Sequence, residues 1–481
     1  MNKFIKIFSV FCLIFIGISL ITRFSEITDK GDYTDVAKFF AGDYSAKLRT
    51  SHSLLYGFVH APLLEIFHSF FIMKVMNVIL LILIVLSTYI ISKKNKRVLI
   101  LMILSPIIWY LGPWITPISL AALLFLWGLF FIEKFYENPA KSSIKNLIYA
   151  GILNGLALAF WDGFMFFLFI FVICFFYRRN VNDVIVFIFS VILGMLPVLV
   201  LNQIFYGFAF FSMIKYIISI IVFNAYGSYA GTPSQFVLLN FIAFVLMIPF
   251  FIYTFFSGDF FRKNKRKVVF ITLSLLFLLL NPQIRYLLLF WPLIIILLSK
   301  SLDKKKFGIQ ASLFLILSML IIAPYVIQMN YSTNATQFTS LIANFNNLSI
   351  LQDKNKLIAE DLRQIAKEYP NQTFVVGNLA DDYQRLADMY WGKDVQEFVS
   401  IQDYRMFLEN NTVLFEKTID LSPRISERRG IWISGGIGKN ENDKTNYSAV
   451  SLGIGIDGPI DLENFSLVKK YNLIYISEKP I

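Results

Sequence analysis

The strongest constraint on this chain is a series of apolar runs long enough to cross a lipid bilayer. A helix needs roughly 20 apolar residues to cross a hydrocarbon layer ~30 Å thick. Hydrophobic residues make up 57% of the 481 residues and charged residues only 16%, which is unusual for a soluble domain. We therefore predict a polytopic α-helical membrane protein with about eleven transmembrane helices, near residues 4–22, 70–92, 97–113, 115–132, 146–161, 163–177, 184–205, 235–256, 266–281, 284–299 and 307–329.

The charged residues indicate how these helices are oriented. Residues 330–481 hold 16 of the 44 Lys and Arg and 20 of the 32 Asp and Glu, so the excess of positive charge belongs to residues 1–329. Basic connections of multi-pass proteins face the cytoplasm. We predict a cell-membrane protein with a cytoplasmic N-terminus, and we attribute the net charge of +12 to this bias, with no nucleic-acid partner. The basic connections are residues 3–6, 93–97, 133–145, 177–183, 257–267 and 300–306.

We predict two domains. Residues 1–329 form the transmembrane domain, in which residues 23–69 are the first outer loop, and residues 330–481 form a small extracytoplasmic α/β domain. In this tail, short β-branched or aromatic runs alternate with helical patterns. Strands are predicted at TFVVGN (373–378), GIWISGG (430–436) and NLIYISEK (472–479).

The first outer loop concentrates ionisable residues. Its acids either belong to a solvated loop or form a site beside a membrane cavity. In the second case a carboxylate can act as a general base toward an acceptor hydroxyl, or can help to hold a divalent cation such as Mg²⁺ or Mn²⁺. The acids are Glu26, Asp29, Asp32, Asp35 and Asp43, and the histidines in or at the end of the loop are His52, His60 and His68.

Further outer connections carry polar residues that suit a binding site. Arg285, followed by Tyr286, either extends to phospholipid headgroups or binds a phosphate or pyrophosphate through its guanidinium group. Asp162, in the sequence Trp-Asp-Gly, is either a turn residue or a second acid of the site. The aromatic segment 206–234 is either an interfacial helix followed by a loop over a cavity or a plain connection between spans.

These motifs resemble those of the GT-C superfamily, polytopic glycosyltransferases that use polyprenyl-phosphate-linked sugars. Their first outer loop carries an acidic motif, here DKGDYTDVAKFF, followed by a Gly and a segment similar to HAPLL at His60–Leu64. The stretch DYTDVAKFFAGDY is similar to the same loop of mannosyltransferases, although Ile27 stands where the first acid of their D-x-D pair would be. GILNGLALAF (151–160) resembles a G-x-x-x-G-L-A span of the family, and NPQIRYLLLFWPL resembles its RYLLPLYPL segment.

The resemblance implies an inverting hexosyltransferase of GT-C type that acts at the outer membrane face. Asp29 would be the general base, with Asp32 or Asp35 as alternatives, and Arg285 would stabilise the departing phosphate. The implied partners are membrane lipid, a polyprenyl-phosphate-linked sugar donor, and a lipid, glycan or protein acceptor. Further substrate-binding residues would be Tyr33, His60, Asp162 and Tyr286.

Two other classes of function remain open from the sequence. A transporter or a lipid-linked-sugar flippase would place ionisable residues and broken helices near the middle of the bilayer. A non-catalytic scaffold that displays the outer domain would tolerate neutral residues in place of the loop acids.

Overall fold

The structure is a computed structural model of the 481-residue chain. It describes residues 3–21, 28–42, 53–67, 71–137, 143–177, 179–225, 247–251, 258–280 and 284–326, and short segments of the tail at 364–365, 367–368, 374–376, 398–400, 450–454, 466–470 and 474–478.

Up to residue 326 the described chain is mostly helical. A 3-10 helix, Ile284–Leu289, precedes α13. The α-helices are α1 (Lys3–Ile21), α2 (Thr28–Phe40), α3 (Leu54–Phe67), α4 (Phe71–Ile91), α5 (Lys96–Ile103), α6 (Pro106–Leu111), α7 (Ile118–Glu137), α8 (Ser143–Phe160), α9 (Phe164–Phe176), α10 (Val181–Tyr206), α11 (Phe211–Ala225), α12 (Gly258–Leu280), α13 (Trp291–Ser301) and α14 (Lys304–Val326).

Three of the described helices are long and apolar enough to cross a membrane, namely Ile72–Ile91, Ile118–Glu137 and Val181–Tyr206. The predicted total of about eleven spans stays a prediction. The single span predicted at 97–113 is wrong, because α5 ends at Ile103 and α6 begins at Pro106. Proline lacks the N–H that would continue a helix but is favoured in a first turn. The indole Nε1 of Trp291 donates a hydrogen bond to Ser105 Oγ (2.6 Å), which holds α13 at this break.

Five of the six basic connections have described residues that meet at one end of the helical bundle, which we call the basic end. Arg97 Nη1 donates to the carbonyl oxygen of Leu302 (2.6 Å), joining connections 93–97 and 300–306. Lys267 forms an ion pair with Glu133, joining connections 257–267 and 133–145. The structure thus places together connections that the sequence assigns to one side. Their cytoplasmic orientation stays a prediction.

Helix α8 packs against both α7 and α10, and its contact with α10 is a close approach of two backbones. A Cβ atom added at Gly155 would lie within 3 Å of the carbonyl oxygen of Val191, and one added at Gly194 would lie within 3 Å of that of Ile152. One turn away, Gly151 packs against Ser190 in the same manner. Small residues spaced by four allow membrane helices to approach this closely.

Five strands of the tail form one mixed sheet in the order β2-β1-β3-β5-β4. β1 pairs in parallel with β2 and β3, whereas β5 pairs antiparallel with β3 and β4. The strands predicted in TFVVGN and NLIYISEK are confirmed as β1 and β5, and residues 430–436 lie outside the described residues. The predicted α/β domain as a whole stays a prediction. The strands are β1 (Phe374–Val376), β2 (Phe398–Ser400), β3 (Val450–Ile454), β4 (Ser466–Lys470) and β5 (Ile474–Glu478).

We expect Gly155→Ala to lower the free energy of unfolding by about 1–3 kcal/mol, because the added methyl group meets backbone that cannot repack. Gly308→Ala is the matched control, since a Cβ at that helical position has no neighbouring atom within 4 Å. Thermal unfolding of the purified proteins in detergent measures the difference. Equal melting temperatures of the two variants would contradict the proposed backbone contact.

Candidate functional site

The acidic stretch of the first outer loop forms helix α2, which packs against α3. Thr34, Asp35 and Val36 are buried, and Asp35 is only 5% exposed. Gly57 of α3 permits the contact, because a Cβ there would lie within 3 Å of the Val36 side chain and the backbone of Ala37. The solvated-loop alternative is therefore wrong for Asp35.

Asp29 and Asp32 also belong to α2, which begins at Thr28. Together with Asp35 they are spaced by three residues, so the three positions follow one another turn by turn along the helix. The structure describes the backbone of Asp29 and Asp32 but not their side chains. The whole residues Glu26, Asp43, His52 and His68 lie outside the described residues. Among the described residues, no three His, Cys, Asp or Glu side chains are grouped closely enough to hold a metal ion.

An aromatic and histidine cluster connects α2 to α3. The rings of Tyr33 and Tyr56 meet edge to face with centroids 5.3 Å apart, and the Tyr56 ring lies 4.3 Å from that of His60. His60 Nδ1 lies 2.7 Å from the carbonyl oxygen of Tyr56. Because a carbonyl oxygen can only accept a hydrogen bond, Nδ1 carries the proton of the neutral ring, and Nε2 is then a hydrogen-bond acceptor. Within the described part of the chain, the buried Tyr56 Oη and His60 Nε2 have no hydrogen-bond partner. Such atoms are costly unless a ligand or water pairs with them.

The start of α3 is fixed to the end of α8. Ser53 Oγ donates to the carbonyl oxygen of Ala159, one residue before the end of α8. Ile115 belongs to the same buried cluster as Tyr33 and Tyr56, and Phe160 packs against this cluster. The turn after α8, which carries Asp162, is therefore held close to α2 and α3.

Asp162 lies in this turn and is buried, with 2% of its surface exposed. Its Oδ1 accepts a hydrogen bond from Ser212 Oγ (3.1 Å), and Ser212 Oγ in turn accepts one from Asn202 Nδ2 (3.0 Å). Burial raises the pKa of the Asp162 carboxyl to about 7, against the opposing effect of the Ser212 hydrogen bond. Its Oδ2 has no hydrogen-bond partner among the described residues. The turn thus carries a buried acid that connects α8 to α11.

Arg285 is buried among aromatic rings at the same end of the bundle. It is 7% exposed, so it does not extend from the surface toward headgroups. Its guanidinium carbon lies 5.9 Å from the ring centroid of Trp114 and 5.6 Å from that of Tyr286. The Tyr286 ring in turn lies 4.9 Å from the ring of Trp161. Arg285 and Tyr286 are therefore next to the turn of Asp162.

Several polar residues of this end were missed at the level of sequence. Tyr56 and Ser212 contribute the buried hydroxyl groups described above. Lys74 of α4 and Lys215 of α11 are also buried, with 7% and 4% of their surface exposed. A lysine within the first turns of an apolar helix is the signal that could have pointed to them. The segment predicted as an interfacial helix is helical at 211–225, and residues 226–234 lie outside the described residues.

No protein-family model and no curated protein sequence matches the chain. Two solved structures are similar to it, both of ArnT from Cupriavidus metallidurans, one bound to undecaprenyl phosphate and one in the apo state. Each is 12% identical and covers 100% of this chain and 98% of that chain, with TM-scores of 0.57 and 0.58. At this identity the likeness concerns the fold. The predicted fold of a polytopic helical membrane protein is confirmed to the extent that the chain shares the fold of ArnT.

We expect the stability of the protein to fall between about pH 4 and pH 7 because of Asp162. Burial raises the pKa of its carboxyl to about 7 in the folded state, from an ordinary value of 3.8, so the folded state keeps a proton that the unfolded chain has lost. The contribution of the protonated Asp162 to the free energy of unfolding is therefore fully present below about pH 4 and lost above about pH 7. Melting temperatures from pH 5 to pH 8 should therefore fall more steeply for the wild type than for Asp162→Asn. Ser212→Ala, which removes the opposing hydrogen bond, should extend the fall to higher pH. Equal slopes for wild type and Asp162→Asn would contradict a neutral buried carboxyl.

Proposed function

We propose that this protein is a membrane glycosyltransferase that moves a sugar from a polyprenyl-phosphate donor to a lipid, glycan or protein acceptor. The observation that carries the proposal is the gathering of the acidic helix α2, Asp162 and Arg285 at one end of a GT-C-like bundle. The solved complex of ArnT with undecaprenyl phosphate supports a lipid phosphate as the ligand of such a fold. The flippase and scaffold alternatives are favoured by no feature of the described residues.

Asp29 is the proposed general base, with Asp32 and Asp35 as alternatives. A carboxylate takes the proton of the acceptor hydroxyl while the oxygen bonds to the anomeric carbon, and the bond from that carbon to the phosphate oxygen breaks. This displacement inverts the anomeric centre. Asp29 is the second residue of α2, where the positive end of the helix dipole stabilises a carboxylate. Asp35, in contrast, lies beside Val36 in the packed contact with α3.

Arg285 is the proposed partner of the donor phosphate. The phosphate gains negative charge as the sugar departs, and a cation that is already in place stabilises this charge without reorganisation. The rings of Trp114 and Tyr286 hold the guanidinium group. Its planar fork suits two phosphate oxygens at once.

The polar atoms of the α3 cluster are proposed to contact the sugar. Tyr56 Oη can donate a hydrogen bond and His60 Nε2 can accept one, so together they suit a hydroxyl group. Tyr33 supports the Tyr56 ring, and Asp162 and Tyr286 lie on the facing turn and 3-10 helix. These roles complete the proposed donor site.

We expect Asp29→Asn to reduce sugar transfer to near background while the protein stays folded. The measurement is transfer or release of label from a panel of radiolabelled polyprenyl-phosphate sugars by the protein in lipid, with and without Mg²⁺ or Mn²⁺. Asp303→Asn is the matched control, because Asp303 is an exposed acid at the basic end. Full activity of Asp29→Asn would refute Asp29 as the base. No turnover of any donor by the wild type would refute the proposed function.

We expect Arg285→Lys to lower turnover roughly 100-fold, the size of effect found when one contact to developing charge is lost. The lysine keeps the charge but loses the fork and the stacking on aromatic rings. Arg97→Lys is the control, since Arg97 also lies over an aromatic ring, that of Phe307, but at the basic end. Equal activities of these two variants would contradict the role of Arg285.

A further inference from the structure

A cluster of cations at the basic end has no role in the proposed transfer. Asp162 lies just before the first residue of α9, whereas the cluster surrounds the last turn of α9. α9 has 13 residues, so the two sites are separated by about 20 Å along its axis. The cluster is therefore distinct from the proposed catalytic site.

Tyr136 is the centre of this cluster. Its hydroxyl group donates to the carbonyl oxygen of Phe175, one of the last carbonyls of α9, and this bond fixes the ring. The guanidinium carbon of Arg179 lies 4.3 Å from the ring centroid and that of Arg266 lies 4.6 Å from it. Among the described residues, the ion pairs within 4.0 Å include neither arginine. Two exposed guanidinium groups are thus held on one ring.

Lysines extend the cluster from this ring along α7. Lys267, next to Arg266, pairs with Glu133, which lies one helical turn before Tyr136. Lys300 interacts electrostatically with Lys267, Glu133 and Lys93. The lysines and the arginines therefore form one continuous surface.

The charges of this surface do not balance. Five bases face two acids, Glu133 and Asp183, the latter being the acid that interacts with Tyr136 from the first turn of α10. The excess is 5 − 2 = 3 positive charges. Like charges held close together repel one another unless an anion lies between them. The five bases are Lys93, Arg179, Arg266, Lys267 and Lys300.

An apolar stripe on α10 begins two residues after Arg179. Its members are spaced by three or four residues, so they share one face of the helix. The surface therefore continues from a charged part to an apolar part, as the headgroup and acyl chains of a phospholipid require. The exposed residues of the stripe are Val181, Ile185, Ile188 and Ile192.

We propose that this surface binds an anionic phospholipid. The phosphate lies between the guanidinium groups of Arg179 and Arg266, Lys267 and its neighbouring lysines face the rest of the headgroup, and an acyl chain follows the stripe of α10. Basic pockets between membrane helices bind anionic headgroups through the same chemistry. Arginine suits this role because its fork matches two phosphate oxygens.

The test measures how much phosphatidylglycerol, relative to phosphatidylcholine, the full-length protein retains from mixed nanodiscs, by native mass spectrometry. We expect the wild type to retain more phosphatidylglycerol than phosphatidylcholine. In Arg179→Gln/Arg266→Gln the ratio of the two retained lipids should fall roughly 10- to 30-fold, the effect of two lost basic contacts. Lys304→Gln/Lys305→Gln is the matched control, because it removes the same charge from exposed residues of the same end. An equal loss in both double variants, or a loss in neither, would overturn the proposal.

Two further experiments distinguish a specific lipid-binding site from non-specific attraction to surface charge. Tyr136→Leu keeps every cation but removes the ring that holds the arginines, so it should also lose the preference. An unchanged preference in this variant would overturn the proposal. Excess inorganic phosphate should leave the bound lipid in place, and its displacement would assign the surface to a free phosphate instead. A cooperative thermal unfolding transition in pure phosphatidylcholine shows that each variant is folded.

Discussion

The close crossing of α8 and α10 is the contact on which the proposed catalytic end depends. Gly155, in the second half of α8, and Gly194, near the middle of α10, bring the two backbones together. α8 leads directly into the turn of Asp162, and α10 ends shortly after Asn202, whose amide holds Ser212. The register of this one crossing therefore decides whether Ser212 reaches Asp162. A shift of either helix by one residue, about 1.5 Å, would separate the hydrogen-bonded pair.

At the same end of the bundle, burial affects one acid and one base differently. It raises the pKa of the Asp162 carboxyl to about 7, because the single hydroxyl donor, Ser212, offsets only part of the desolvation. Arg285 is equally buried, but the faces of Trp114 and Tyr286 are electron-rich and stabilise a cation. Burial alone therefore does not determine ionisation here. The neighbouring groups also affect which side chain carries charge, and the aromatic rings around Arg285 are compatible with the phosphate-binding role proposed for it.

Sequence predicted well what depends on patterns along the chain. Basic connections alternate with less charged ones along the chain because successive helices run in opposite directions through the bundle. The hydrogen bond from Arg97 to the carbonyl oxygen of Leu302 confirms that two basic connections distant in sequence meet at one end. The acidic loop motif and the strands in TFVVGN and NLIYISEK could likewise be recognised from local composition. β2, β3 and β4 were missed, because FVS is only three residues long and because VSLGI and SLVKK interrupt an apolar pattern with a glycine or lysines. The span at 97–113 was wrong because Pro106 has a stronger effect on the backbone than the surrounding hydropathy. The environment of Asp162 could not be predicted, since its partner Ser212 lies 50 residues away.

The shortness of α9 has a consequence for the membrane around it. Its 13 residues cover about 20 Å, whereas a typical hydrocarbon layer is ~30 Å thick. If α9 is the span that the sequence predicts and the cation cluster lies at one headgroup plane, the turn that follows Phe160 lies about 10 Å short of the other plane, and any tilt of α9 increases this difference. The lipid layer would then thin beside α9, or the turn would lie at the bottom of a recess. The lipid-linked donor proposed for this protein would enter such a recess from the side, without first leaving the bilayer.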